Sequence, residues 1–231
     1  MTLILHMETA VETASICLAK DGELLALDLN TQQRDHAAWM HNAIQLMMKD
    51  TGFSMKELSA IAVSGGPGSY TGLRVGMATA KGLSFALKIP MISLNTLEIM
   101  ANAALMSWPN TEDINDYLLV PMIDARRMEV FTAIYDAQLK NIMTPQAMVL
   151  DEDSFNIRLK DHRLIFFGNG IEKCRNLILH ENARFEDISF SASNMVSLAN
   201  RYFQAKNFAD LAYSEPFYTK GFYTPAIKIY Y

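Results

Sequence analysis

The stretch SGGPGSYTGLRVG, residues 64–76, limits what this chain can fold into more than any other. An apolar run containing Leu58, Ile61 and Val63 feeds into it, and a long pattern of helical period follows. Glycine tolerates positive φ and lets another backbone or a ligand come close. Strand, glycine loop and helix in succession make a β–α unit, which sets the expectation of an α/β fold. The free N–H groups and positive dipole end of such a helix describe an anion or phosphate site. Gly66, Gly68, Ser69, Thr71 and Arg74 are its candidate residues.

The common phosphate motifs do not fit. A Walker A loop ends in Gly-Lys-Ser/Thr, and here Leu73 follows Gly72. Gly66, Gly68 and Gly72 are spaced one residue too long for the dinucleotide fingerprint. Composition narrows the function further. The 231 residues are 50% hydrophobic and 19% charged, enough for one large domain or two lobes with real cores. A formal net charge of −5 does not mark a nucleic-acid-gripping surface. Cys17 and Cys174 lie far apart among apolar neighbours, the pattern of two buried reduced thiols. The start, MTLILHMET, lacks a basic n-region and a small-residue cleavage site, and no apolar run reaches ~20 residues, so a cytoplasmic protein is expected.

Residues 2–7, 14–20 and 23–30 read as strands, the last two joined by the hairpin signal Asp21-Gly22. A helix over 35–50, capped by Asp35, a strand over 58–64, a helix over 71–88 and a strand over 91–94 follow. Residues 96–107 read as a helix, and 117–124 and 128–136 as paired strands. Beyond them the pattern predicts a strand at 164–167, helices over 170–180 and 193–206, and a packed irregular tail. The order β-β-β-α-β-α-β resembles one ribonuclease-H-like lobe of the actin-like ATPases; periodicity alone says α/β. The expected division is an N-terminal ribonuclease-H-like lobe over 1–100 and a second, degenerate lobe over 101–231.

The string GGPGSYTGLRVG closely resembles the signature of the bacterial TsaB family, also called YeaZ. ILHMETAVETASICL at 4–18 is similar to that family's opening strands, DARRMEVFTAIY at 124–135 to its second-lobe motif, and EPFY at 215–218 to a short motif near its C-terminus. The likeness is strong over 1–135 and thin over 140–210. It implies a two-lobed actin-like fold with mixed five-stranded sheets. It also implies a non-catalytic subunit that holds the catalytic TsaD paralogue during synthesis of threonylcarbamoyladenosine on transfer RNA. The TsaE-type ATPase would be a further partner and transfer RNA an indirect one. No cofactor would be required, with ATP or ADP placed at the partner interface. Two positions depart from the actin-like pattern: Glu8 stands where an aspartate organises Mg²⁺, and Asp124-Ala125-Arg126 replaces an Asp-x-Gly turn. Both argue against hydrolysis by this chain alone. The competing expectation is an actin-fold ATPase or kinase using the 64–74 loop. A peptidase is a more distant one, for which the sequence supplies neither metal nor nucleophile: His36 and His41 lie ~140° apart on a helix, there is no H-E-x-x-H, and neither Ser69 nor Thr71 has a base near it in sequence.

The helix after the glycine loop carries small residues in two rows, Gly72-Gly76-Ala80-Ser84 and Ala78-Gly82-Ala86. Each internal glycine costs about 1 kcal/mol relative to alanine, so close approach of another element is expected to compensate. Two rows cannot both face one sheet, which assigns one of them to a partner helix. The preceding helix has two apolar stripes, Met40-Ile44-Met47-Met48 and Trp39-Ala43-Leu46. Residues 61–111 hold only Arg74, Lys81, Lys88 and Glu98 as charges, and the three cations run along one helix edge. The expected interface residues are therefore Trp39, Met40, Ala43, Leu46, Met47, Gly72, Gly76 and Ala80, serving a homodimer in isolation and the paralogue in the complex.

Overall fold

The computed structural model describes residues 1–31, 36–109 and 113–218. Two five-stranded mixed sheets form its frame. The first contains β1 (Leu3–Glu8), β2 (Ala14–Lys20) and β3 (Glu23–Asn30), then α1 (His36–Asp50), β4 (Ala60–Gly66), α2 (Tyr70–Leu87) and β5 (Met91–Asn95). Its order is β3-β2-β1-β4-β5: β1 pairs antiparallel with β2 and parallel with β4. The central strands β1 and β4 are wholly buried, which is why neither alternates apolar with solvent-facing residues. Asp21 and Gly22 both take positive φ, 52° and 86°, as a tight hairpin requires.

α3 (Thr96–Ser107), capped by the Asn95 side chain, leads to the second sheet. There β6 (Tyr117–Asp124), β7 (Glu129–Tyr135), β8 (Asn141–Val149), α4 (Asn156–Leu159), β9 (Arg163–Phe167) and β10 (Ala183–Glu186) take the order β8-β7-β6-β9-β10. The topology of the first sheet is thus repeated, with its two long helices shrunk to the four residues of α4 and a 3-10 turn at Ile171–Lys173. This is the two-lobed, ribonuclease-H-like, actin-like fold.

α1 and α2 cover one face of the first sheet around Leu3, Leu5, Met7, Ile16, Ile61 and Val63. On its other face lie α3 and the last helix, α5 (Val196–Gln204). α3 also packs on β6 and β7, so it is shared between the two sheets. Cys17 and Cys174 are buried in separate cores.

Three sequence expectations change. The helix over 170–180 is only the 3-10 turn, because Gly168 and Gly170 pack against Met122 and hold the chain close to β6. β8 and β10 had no clear alternation because both are sheet-edge strands, β8 of mixed exposure and β10 half-buried throughout. Residues 192–204, assigned from sequence to the second lobe, pack on the first sheet instead. Ala192, Met195, Leu198 and Ala199 join Ile4, Cys17 and Ile92 in one core. Asn102 donates to the Asn194 carbonyl (2.7 Å), and Arg201 pairs with Glu98 (2.8 Å). The Asp35 cap lies outside the described residues.

Candidate functional site

The glycine loop sits at the C-terminal ends of β1 and β4, where open α/β sheets place their ligands. Its groups are engaged by this chain's own backbone. The Ser69 N–H donates to the Ala10 carbonyl at 2.7 Å, and the Ser69 hydroxyl accepts from the Gly72 N–H at 3.3 Å, capping α2. A Cβ on Gly68 would strike Ala10; one on Gly72 or Gly76 would strike Thr9. Gly66, at φ +103°, lies against the backbone of Phe217, whose N–H donates to the Gly65 carbonyl at 2.6 Å. Arg74 lies over the Tyr70 ring, 4.5 Å from its centroid, and Thr71 is exposed. The glycines therefore exist for close packing of α2 and its loop on the turn after β1 and on the C-terminal segment. At Gly66, Gly68, Ser69 and Arg74, expected from sequence to hold a phosphate, the contacts seen are with this chain's own residues, and Thr71 is exposed.

The two carboxylate turns differ. Glu8 is fully buried; its Oε1 accepts the Ala10 N–H at 2.6 Å, and its Oε2 meets no hydrogen-bond partner among the described residues. Burial pushes its carboxyl up to about 7, against the lowering effect of the Ala10 N–H and the Ser64 hydroxyl. A carboxyl so placed holds the turn rather than a metal. Asp124 instead faces solvent and pairs with Lys173 at 2.6 Å, which also donates to the Glu129 carbonyl at 2.8 Å. Asp124 Oδ1 accepts the Arg126 N–H, and Asn169 Oδ1 the Asp124 N–H. Those bonds brace Arg126 and Arg127 at φ 68° and 50°, a left-handed backbone that costs non-glycine residues of order 1–3 kcal/mol each. Lys173 was invisible from sequence because it lies in what read as an ordinary helix.

The helix pair needs a correction as well. Met40, Ala43 and Met47 are 0%, 3% and 6% exposed, and they belong to the core under α1. Gly72, Gly76 and Ala80 are buried on the inward face of α2. These six of the eight expected interface residues point into their own lobe. Periodicity shows that a helix has an apolar stripe, not which stripe the sheet takes. The outward face belongs to the other row. Ala78, Gly82 and Ala86 are exposed, Phe85 is 80% exposed, and a Cβ on Gly82 would meet nothing within 4 Å. On α1, packed beside α2, Leu46 is 57% exposed and Trp39 half-buried.

A separate cavity of about 270 Å³ opens in the second lobe between Tyr117, Arg163, Glu181, Asn182 and Arg184. Its arginines lie over Tyr117, and Glu186 pairs with Arg184, so it offers no net charge to a ligand.

Fold and site together define a class: a two-lobed actin-like protein whose glycine loop packs against its own chain and whose α2 turns Ala78, Gly82 and Phe85 outward. A family model described as TsaD, tRNA N6-adenosine threonylcarbamoyltransferase, matches residues 24–219. The chain is 29% identical over 178 residues to the Bacillus subtilis tRNA threonylcarbamoyladenosine biosynthesis protein TsaB, covering 76% of this chain and 74% of that one. The Escherichia coli TsaB is 34% identical over 132 residues, 57% and 54% of the two chains. A solved structure of Pseudomonas aeruginosa YeaZ superposes with a TM-score of 0.81 at 21% identity, covering 94% of this chain and all of that one. This chain belongs to the TsaB (YeaZ) family.

Proposed function

We propose that this chain is the non-catalytic subunit of the assembly that places threonylcarbamoyl on adenosine in transfer RNA. It binds and stabilises the catalytic TsaD paralogue through the outward face of α1 and α2. The observation that carries this reading is the uncovered row Ala78-Gly82-Phe85 on α2. Gly72 and Gly76 are required by Thr9, whereas among the described residues none requires Gly82 or shelters Phe85. A glycine that weakens a helix, one turn from a bare phenylalanine, fits a surface that another helix covers. The same face serves a homodimer when the partner is absent, so the two associations compete. The TsaE-type ATPase joins the same assembly, and transfer RNA is reached through the partner. ATP or ADP, where bound, belongs to the partner interface, because the glycine loop is filled by Ala10 and Phe217. The family's tRNA-modification names support this role.

The test is co-purification with the catalytic paralogue, comparing wild type with Phe85→Ser and Gly82→Trp. Both variants are expected to fold and lose the partner. Retention of the partner at wild-type strength by both would place the interface elsewhere.

A further inference from the structure

The crevice at the C-terminal ends of β1 and β4 is met by the end of the segment Ser214–Tyr218, through Phe217 and Tyr218. After α5 the chain runs along the first lobe, where Ala209 bridges to Met91 at the edge of β5. It then crosses the glycine loop. The Phe217 N–H donates to the Gly65 carbonyl at 2.6 Å. The Phe217 carbonyl lies where a Cβ on Gly66 would come within 2.8 Å. The Tyr218 ring meets the Tyr70 ring at 5.4 Å, at the first residue of α2. Only glycine at 66 leaves room for this passage.

We propose that this crevice is a peptide-binding site, filled in cis by Ser214–Tyr218. Its recognition elements are the Gly65 carbonyl, the bare Gly66 backbone and the Tyr70 ring. Its ligand is an extended segment that donates one backbone N–H and follows it with an aromatic ring, as Phe217 and Tyr218 do. The segment is a strap rather than part of the core: Phe217 is 46% exposed and Glu215 is exposed, while a backbone bond and a ring pair tie its end to the loop. While seated it fills the place where the fold would otherwise admit a ligand. This proposal is independent of the helix face proposed for the partner.

The experiment uses the full chain carrying Phe217→Pro and Tyr218→Ala, which removes the donor and the ring. The probe is a synthetic peptide of the wild-type sequence 214–218, blocked at both ends, with a scrambled peptide as control. Titration calorimetry is expected to show the peptide binding the variant at least tenfold more tightly than wild type. In wild type a tethered segment of roughly millimolar effective concentration already competes for the site. Equal binding to both proteins, or binding to neither, would overturn the proposal. If the variant does not fold, native-state hydrogen exchange of the wild type decides. Release of a strap predicts that the Phe217 amide exchanges at least a hundredfold faster than the Ser69 amide. Equal rates set by global unfolding would make the segment a fixed part of the core and end the proposal.

Discussion

Two buried titratable residues on one face of β1 pull the pH response in opposite directions. Glu8 is pushed up to about 7 by burial, and His6 is lowered to about 4, also by burial, with the backbone of Cys17 and Ile4 offsetting part of it. The raised carboxyl stabilises the fold most below its ordinary value of 4.5 and loses that contribution as pH rises to 7. The lowered imidazole does the opposite: its contribution is present above 6.5 and is lost as pH falls to 4. Across the shared window the two slopes oppose each other, so the wild-type slope between pH 4.5 and 6.5 should be the smaller one left by Glu98, whose carboxyl burial also raises. Glu8→Gln unmasks the histidine, and urea denaturation should then show stability falling by roughly 3 kcal/mol on acidification through that window. A variant with the wild-type slope would contradict the assignment. Gly76→Leu should unfold the protein rather than trim an interface, because Thr9 occupies the space its side chain needs; circular dichroism reads the difference. The demand for glycine at 66, 68, 72 and 76 was legible in the sequence, but its cause was not. A glycine required by a phosphate and one required by Ala10 or Thr9 look alike until the turn after β1 is seen folded against α2.

Helix boundaries show the same limit. α1, α2 and α3 fall within a residue of their sequence-predicted spans, since caps such as Ser69 and Asn95 are local signals. The orientation of α1 and α2 is not local: Met40 and Leu46 both sit in apolar stripes, and only the first sheet distinguishes them. Met40→Ala should therefore cost about 2–5 kcal/mol of stability, as a buried truncation does. Phe85→Ser should leave the melting temperature near wild type while weakening self-association about thirtyfold, some 2 kcal/mol. Light scattering across a dilution series measures that shift. If Phe85→Ser dimerises like wild type, the outward face of α2 is not the contact. Gly82→Ala separates stability from association in another way. It should stabilise the protomer by about 1 kcal/mol, because no described residue limits a methyl there.

For the molecule as a whole, the repeated β-β-β-α-β-α-β order was legible in the first lobe and faint in the second, where α4 and a 3-10 turn stand in for long helices. The return of 192–204 to the first sheet was not legible, because long-range packing leaves no periodic mark. The result is an actin-like frame with its glycine loop packed against its own chain and Glu8 holding a turn, so the purified chain should release no phosphate from ATP above background. Release abolished by Glu8→Ala or Asp124→Ala would instead make this an enzyme. The most direct test of the accessory role is threonylcarbamoyl transfer to transfer RNA by the catalytic paralogue, measured with wild type, with Phe85→Ser and without this chain. Modification that depends on wild type and falls with Phe85→Ser is the predicted result; equal modification without this chain, or modification by this chain alone, would contradict it.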